Sequence, residues 1–191
     1  YIGDAANGVY AIAHKIPALC QVLFNMFSIS WQQELIGKID MPDADKFINE
    51  VFNHFLQVLF AVGGGLTAGS FFLYYFIFDL KYFDAINYSP ILLTSAVLIA
   101  ISQFLGGIQI ALKRTFQNGI STFAGAVCNV LVHIMLISKA GLFAAAVSTL
   151  LSNILIVLLR LFYLRRKIRI QIDKRSFYAV IAYMYFLANA Y

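Results

Sequence analysis

Six long apolar runs follow one another along the chain, at about 8–32, 53–78, 90–111, 119–138, 141–162 and 176–191. A helix that crosses a bilayer needs about 20 predominantly apolar residues, and each run is close to that length. The stretches between them hold most of the charges and turn residues. None of the runs shows the strict alternation of a membrane barrel strand. A helix also satisfies every backbone polar group internally, as hydrocarbon requires. The pattern predicts an all-α, polytopic transmembrane helical bundle of about six spans.

Within these runs the polar residues are ordered. In the first, Asn7, Tyr10, His14, Gln21, Asn25, Ser28 and Gln32 recur at spacings of three, four or seven. At about 100° per residue they share one face. An unsatisfied polar group in hydrocarbon costs several kcal/mol, so this face must look at other helices or at a wet cavity. Weaker stripes follow: Asn49, Asn53, Gln57, Gly64 and Thr67; Ser95, Ser102, Gly106, Gln109 and Lys113; Thr122, Gly125, Asn129 and His133; Thr149, Asn153 and Arg160. Any one stripe reads as hydrogen-bonding glue between helices. Several in one bundle predict a shared hydrated cavity. Small residues four apart, such as Gly65 with Gly69 and Ala144 with Ser148 and Ser152, predict close helix packing.

Composition supports lipid as the solvent: 61% of residues are hydrophobic and 12% charged, against about 25% charged in a soluble domain. The net charge of +5 does not point to nucleic acid, because its distribution has a better explanation. Loops 33–50, 112–118 and 163–175 hold ten of the fourteen Lys and Arg residues, and the opposite loops hold only Lys81 and Lys139. Positive residues stay inside. This places those three loops in the cytoplasm and the start of the chain outside. The basic run after Arg160 then reads as a topological anchor that also touches lipid headgroups. The chain begins at Tyr1 without a Met and ends within an apolar run, which reads as a piece of a longer protein.

Lys15 is the most informative single residue. It falls inside the first run, at the edge of the polar stripe, and ionisable residues at such depth are costly and tend to be functional. The bland alternative is snorkelling to the nearby outer interface. All nine acidic residues lie outside the span centres. A cavity holding Lys15 and His14 without a carboxylate favours anions, and a pyrophosphate suits a lysine acting as a point charge. Pro17 lacks a backbone N–H and frees the carbonyl of Ala13, predicting a bend beside Lys15. His14 and His133 read as neutral packing residues, with proton coupling as the sharper alternative. Cys20 and Cys128 read as small buried apolar groups.

The string Gly8-Val-Tyr-Ala-Ile-Ala-His-Lys-Ile-Pro17, running on to Phe27 and Trp31, resembles the eighth helix of Wzx-type polysaccharide flippases. These belong with the MATE exporters and lipid II flippases in one superfamily. Ala11 and His14 stand where that family usually has Ser and Tyr. A second likeness covers Ala126 to Asn153, through Asn129, Ile137-Ser-Lys-Ala-Gly141, Ala144-Ala-Ala-Val-Ser-Thr149 and Ser152, followed by Arg160 and the basic loop. The resemblance implies the C-terminal lobe of a two-lobe, alternating-access transporter in the bacterial cytoplasmic (inner) membrane. It implies an undecaprenyl-pyrophosphate-linked oligosaccharide as cargo, for O-antigen, capsule or exopolysaccharide synthesis. Membrane lipids, a polysaccharide polymerase and chain-length proteins are the implied partners, and no cofactor, metal or nucleic acid is called for. Lys15 aligns roughly with a basic cavity residue of the lipid II flippases.

The resulting expectation is a flippase with no covalent chemistry. Lys15 and His14 face the pyrophosphate, and Gln21, Asn25, Gln103, Gln109 and Asn129 hydrogen-bond sugar hydroxyls. The main alternative is a MATE-like ion-coupled exporter of drugs or metabolites, for which buried carboxylates are expected. A membrane polymerase or ligase calls for a large external loop, whereas the predicted outer loops near 79–89 and 138–141 are short. A structural scaffold does not call for polar stripes on several helices.

Overall fold

The computed structural model describes residues 4–77 and 85–189, and all seven long elements within them are helices. They are α1 (Asp4–Ala13), α2 (Lys15–Lys38), α3 (Ala44–Ile77), α4 (Ser89–Ala111), α5 (Thr115–Ala140), α6 (Leu142–Leu164) and α7 (Lys174–Ala188). Five stretches are long and apolar enough to cross a membrane: Gly8–Lys38, Ala44–Ser70, Ser89–Ala111, Thr115–Ala140 and Leu142–Leu164. The end of the second predicted run, most of the loop 79–89 that the charge pattern predicts to be outside, with Asp79, Lys81 and Asp84, and the last two residues of the sixth run lie outside the described residues. So does the side chain of Asn7 in the first stripe. The sixth run appears as α7, whose 15 residues extend about 22 Å at 1.5 Å per residue, short of a bilayer core of about 30 Å.

The first run is one rod, interrupted at His14 between α1 and α2. Backbone hydrogen bonds from His14 N to Tyr10 O at 3.1 Å and from Ala18 N to His14 O at 2.9 Å carry the helix past the break. Pro17 lies in the first turn of α2 and is buried. Its ring nitrogen has no hydrogen to donate back to Ala13. The hydroxyl of Tyr74, on α3, donates to that carbonyl instead, at 3.3 Å. The carbonyl that Pro17 leaves open therefore has a tertiary partner.

Helix α4 is the hub, packing against α2, α3, α5 and α6. Trp31 of α2 stacks on Phe104 with ring centroids 4.4 Å apart, and Phe55 of α3 stacks on the same ring at 5.1 Å. Such offset aromatic contacts add to the energy of burial. The Trp31 indole N–H also donates to the Phe104 carbonyl at 3.2 Å. Helices α5 and α6 form an antiparallel hairpin turning at Gly141, whose φ of +54° suits a residue without a Cβ. The outer face of α5 displays Phe123, Val130, Ile134 and Met135, which fits a lipid-facing surface. Helix α7 runs parallel to α3, with Ser176 beside Asn53 and Tyr183 beside Gly63.

Helix α4 ends in a Schellman turn. Arg114 N donates to Gln109 O at 2.7 Å and Lys113 N to Ile110 O at 2.9 Å. Lys113 occupies the left-handed position at φ +59°, where glycine carries no steric penalty. Lys113→Gly is expected to stabilise the purified protein by about 1 kcal/mol, read as a higher midpoint in a detergent-denaturation titration. An unchanged or lower midpoint contradicts the strain assigned to Lys113.

Candidate functional site

The polar face of the α1–α2 rod borders the helix core without being sealed by it. Tyr10, His14, Gln21, Ser28 and Gln32 are half-buried and Asn25 is exposed, whereas Ala13, Ile16, Cys20, Phe24, Trp31 and Leu35 on the adjoining face are buried. The physical cause is the registry of α2 on α4. Trp31 fills the space towards the hub, Phe24 meets Phe55 of α3 edge-on, and the polar positions fall along one margin of that packing. On the opposite side of α2, Leu19, Val22, Leu23, Met26 and Ile29 are exposed apolar residues.

Two of the predicted residues meet directly. The Gln103 side-chain amide on α4 donates to Asn25 Oδ1 on α2 at 2.6 Å. Gln103 lies one position off its predicted stripe, and the α2–α4 contact is what brings it to Asn25. Higher on the rod, the Tyr10 ring lies edge-on to His14 with centroids 4.8 Å apart, and the Tyr10 hydroxyl interacts with Thr149 of α6. The Asn129 amide reaches Thr149 Oγ1 at 3.4 Å and Ser152 Oγ at 3.5 Å. Asn129 thus joins α5 to α6 and links by way of Thr149 to the α1 end of the stripe. His133, on the same helix, is half-buried.

Lys15 and Gln109 are placed apart from that line. Lys15 is exposed, and the helical repeat aligns it with Leu19, Val22 and Met26 on the outward apolar face. Gln109 is fully buried, with neither side-chain polar atom hydrogen-bonded. A cavity of about 580 Å³ between α2 and α3 is lined by apolar residues including Leu23, Phe27, Val51 and Phe55, with Glu50 and His54 among its few polar ones. None of the seven predicted site residues lines it.

Arg160 is the residue that stripe reading undervalued. It is 7% exposed, and its hydrogen-bond partners among the described residues are neutral oxygens. Its Nε donates to Ser121 Oγ at 3.2 Å, Nη2 to Thr122 Oγ1 at 3.0 Å, and Nη1 to the Ser102 carbonyl. A planar guanidinium with five donors can bridge three helices in this way. The available signal was a lone arginine two residues inside the end of an apolar run, in register with Thr149 and Asn153. Asn153 makes a related link, donating to Ser95 Oγ on α4 at 2.8 Å.

No family model, no curated protein and no solved structure matches this chain. The functional reading therefore stands on the residues themselves.

The stripe is expected to be wet and the opposite face dry. In a background with Cys20 and Cys128 replaced by Ala, single cysteines at Gln21, Asn25 and Gln32 should react with a membrane-impermeant charged thiosulfonate. Cysteines at Leu19, Leu23 and Met26 should not. Equal reactivity on both faces would remove the case for a hydrated groove.

Proposed function

We propose that this chain belongs to a membrane translocator for polyprenyl-pyrophosphate-linked oligosaccharides, of the kind its sequence resembles. The observation that carries the reading is the polar margin of the α1–α2 rod, which runs along the first span and pairs with α4 through Asn25 and Gln103. A line of amides and hydroxyls left accessible within a membrane span suits cargo rich in hydroxyl groups, since each sugar hydroxyl both donates and accepts.

In this reading Lys15 meets the pyrophosphate from the lipid-facing side of the rod, near its outer end where the lipid tail enters the bilayer, and His14 lies beside it. Gln21, Asn25 and Gln103 exchange hydrogen bonds with sugar hydroxyls while the lipid tail stays in the bilayer. Asn129 supports the upper end through Thr149. Gln109, buried beneath the surface of α4, acts only where the helices separate. Loops 33–50, 112–118 and 163–175 face the cytoplasm, and a second group of helices closes over the stripe in alternating access. Binding and release through neutral hydrogen bonds require no covalent step.

The test uses full-length protein in cells lacking their own flippase, at matched expression. Lys15→Glu should cut surface glycan at least tenfold and leave lipid-linked precursor on the cytoplasmic side, because a charge-assisted contact of about 1.5–3 kcal/mol is replaced by repulsion. Lys15→Arg should retain export. Unchanged glycan in Lys15→Glu would make Lys15 an interfacial anchor. Failure of the unmutated protein to restore glycan would move a MATE-like exporter ahead.

A further inference from the structure

The segment between α6 and α7 is built as an extended strap, and α3 supplies the device that holds it. Asn49 and Asn53 lie one helical turn apart on α3. The Asn49 side chain donates to the Arg169 carbonyl at 2.9 Å and accepts from Gln171 N at 2.6 Å. The Asn53 side chain donates to the Gln171 carbonyl at 2.9 Å and accepts from Asp173 N at 2.9 Å. Two side-chain amides thus satisfy one edge of the backbone at alternate residues, as a neighbouring strand would. Ile168 is buried and Ile170 is packed against the core, so the strap is fastened by apolar contacts too.

Both ends are also secured. The Arg165 guanidinium lies 3.9 Å from the centre of the Phe162 ring. Asp173 caps α7 by accepting from Ser176 N at 2.7 Å, and Ser176 Oγ donates to the Asn53 carbonyl at 3.0 Å. That backbone donor holds the Asp173 carboxyl below its usual pKa. The strap therefore has a defined course from the end of α6 to the start of α7.

The side chains that this course displays are basic. Arg165, Arg166, Lys167, Arg169, Lys174 and Arg175 are all exposed, with Asp173 the one acidic residue among them. Exposed Ile172, Phe177 and Tyr178 adjoin them. A topological anchor needs the charge alone, and a loose loop would provide it. A backbone satisfied rung by rung fixes the charges relative to one another and to the ends of α6 and α7.

We infer that the strap Ile168–Asp173 and its basic flanks form a docking surface for the anionic phospholipid headgroups of the leaflet on that side. The cations meet the phosphates, and Ile172, Phe177 and Tyr178 enter the headgroup–acyl boundary. Attraction between basic residues and an anionic leaflet acts within about a Debye length, so charges held at the ends of membrane helices are well placed to feel it. This inference is independent of the cargo proposed above.

The test places the full-length protein in nanodiscs of phosphatidylcholine containing a minor fraction of phosphatidylglycerol. Enrichment of each lipid around the protein is read from a spin-labelled headgroup. The unmutated protein should enrich phosphatidylglycerol over phosphatidylcholine. Arg166→Gln with Arg169→Gln, which leaves the other four cations to maintain orientation, should lower that enrichment by about fivefold or more. Asn49→Ala with Asn53→Ala changes no charge and should also lower it, because the rungs are gone. The preference should weaken as salt rises. No preference in the unmutated protein, or a preference unaffected by the arginine substitutions, overturns the inference. Enrichment that survives the asparagine pair with the fold intact, shown by an unchanged unfolding midpoint, reduces the strap to an unstructured charge anchor and overturns it as well. If the asparagine pair does not fold, Gln171→Pro, which removes a single rung donor, takes its place under the same criteria.

Discussion

Helix α4 can be the centre of this bundle because two adjacent glycines let different neighbours come close to it. A methyl group added at Gly107 would lie 3.0 Å from Trp31 Cδ1 on α2, and one added at Gly106 would lie 2.7 Å from Arg160 Nη1 on α6. In lipid there is little hydrophobic force between helices, so association depends on close packing and interhelical hydrogen bonds. Both are concentrated here. Trp31 stacks on Phe104 and bonds its carbonyl, while Arg160 reaches past Gly106 to the Ser102 carbonyl.

The position of the accessible polar face follows from that packing. With Trp31 committed to the hub, the stripe of Tyr10, His14, Gln21 and Asn25 falls at the margin of the α2–α4 contact. Gln103, facing the same margin from α4, meets Asn25 there. Above this contact Tyr74 satisfies the Ala13 carbonyl that Pro17 leaves open. The candidate groove is therefore a by-product of how the aromatic core is filled.

Polar residues within the spans divide into two kinds that spacing alone does not separate. Asn49, Asn53, Asn153 and Arg160 spend their hydrogen bonds on other parts of the chain and act as fasteners. The α1–α2 stripe is only partly covered, and its residues keep capacity for an external partner. Gln109 belongs to neither kind: it is enclosed and unbonded, an arrangement whose desolvation penalty must be carried by the surrounding contacts.

Helical architecture, the main spanning runs and the one-sided polarity of the first span were legible in the residues alone. Hydrophobic length and period are local properties, and hydrocarbon leaves the backbone little other than a helix. What the residues alone did not decide was which neighbour each stripe faces. Lys15 stood at the edge of a polar stripe by sequence, and the packing of α2 on α4 is what leaves its position exposed. Arg160 read as one more member of a polar stripe with Thr149 and Asn153, yet it joins three helices. Asn49 and Asn53 resembled one more stripe, yet they fasten a strap about 120 residues away in sequence. Their roles depend on helix rotation and on contacts between distant segments, and these are settled only when α4 takes its place between its neighbours.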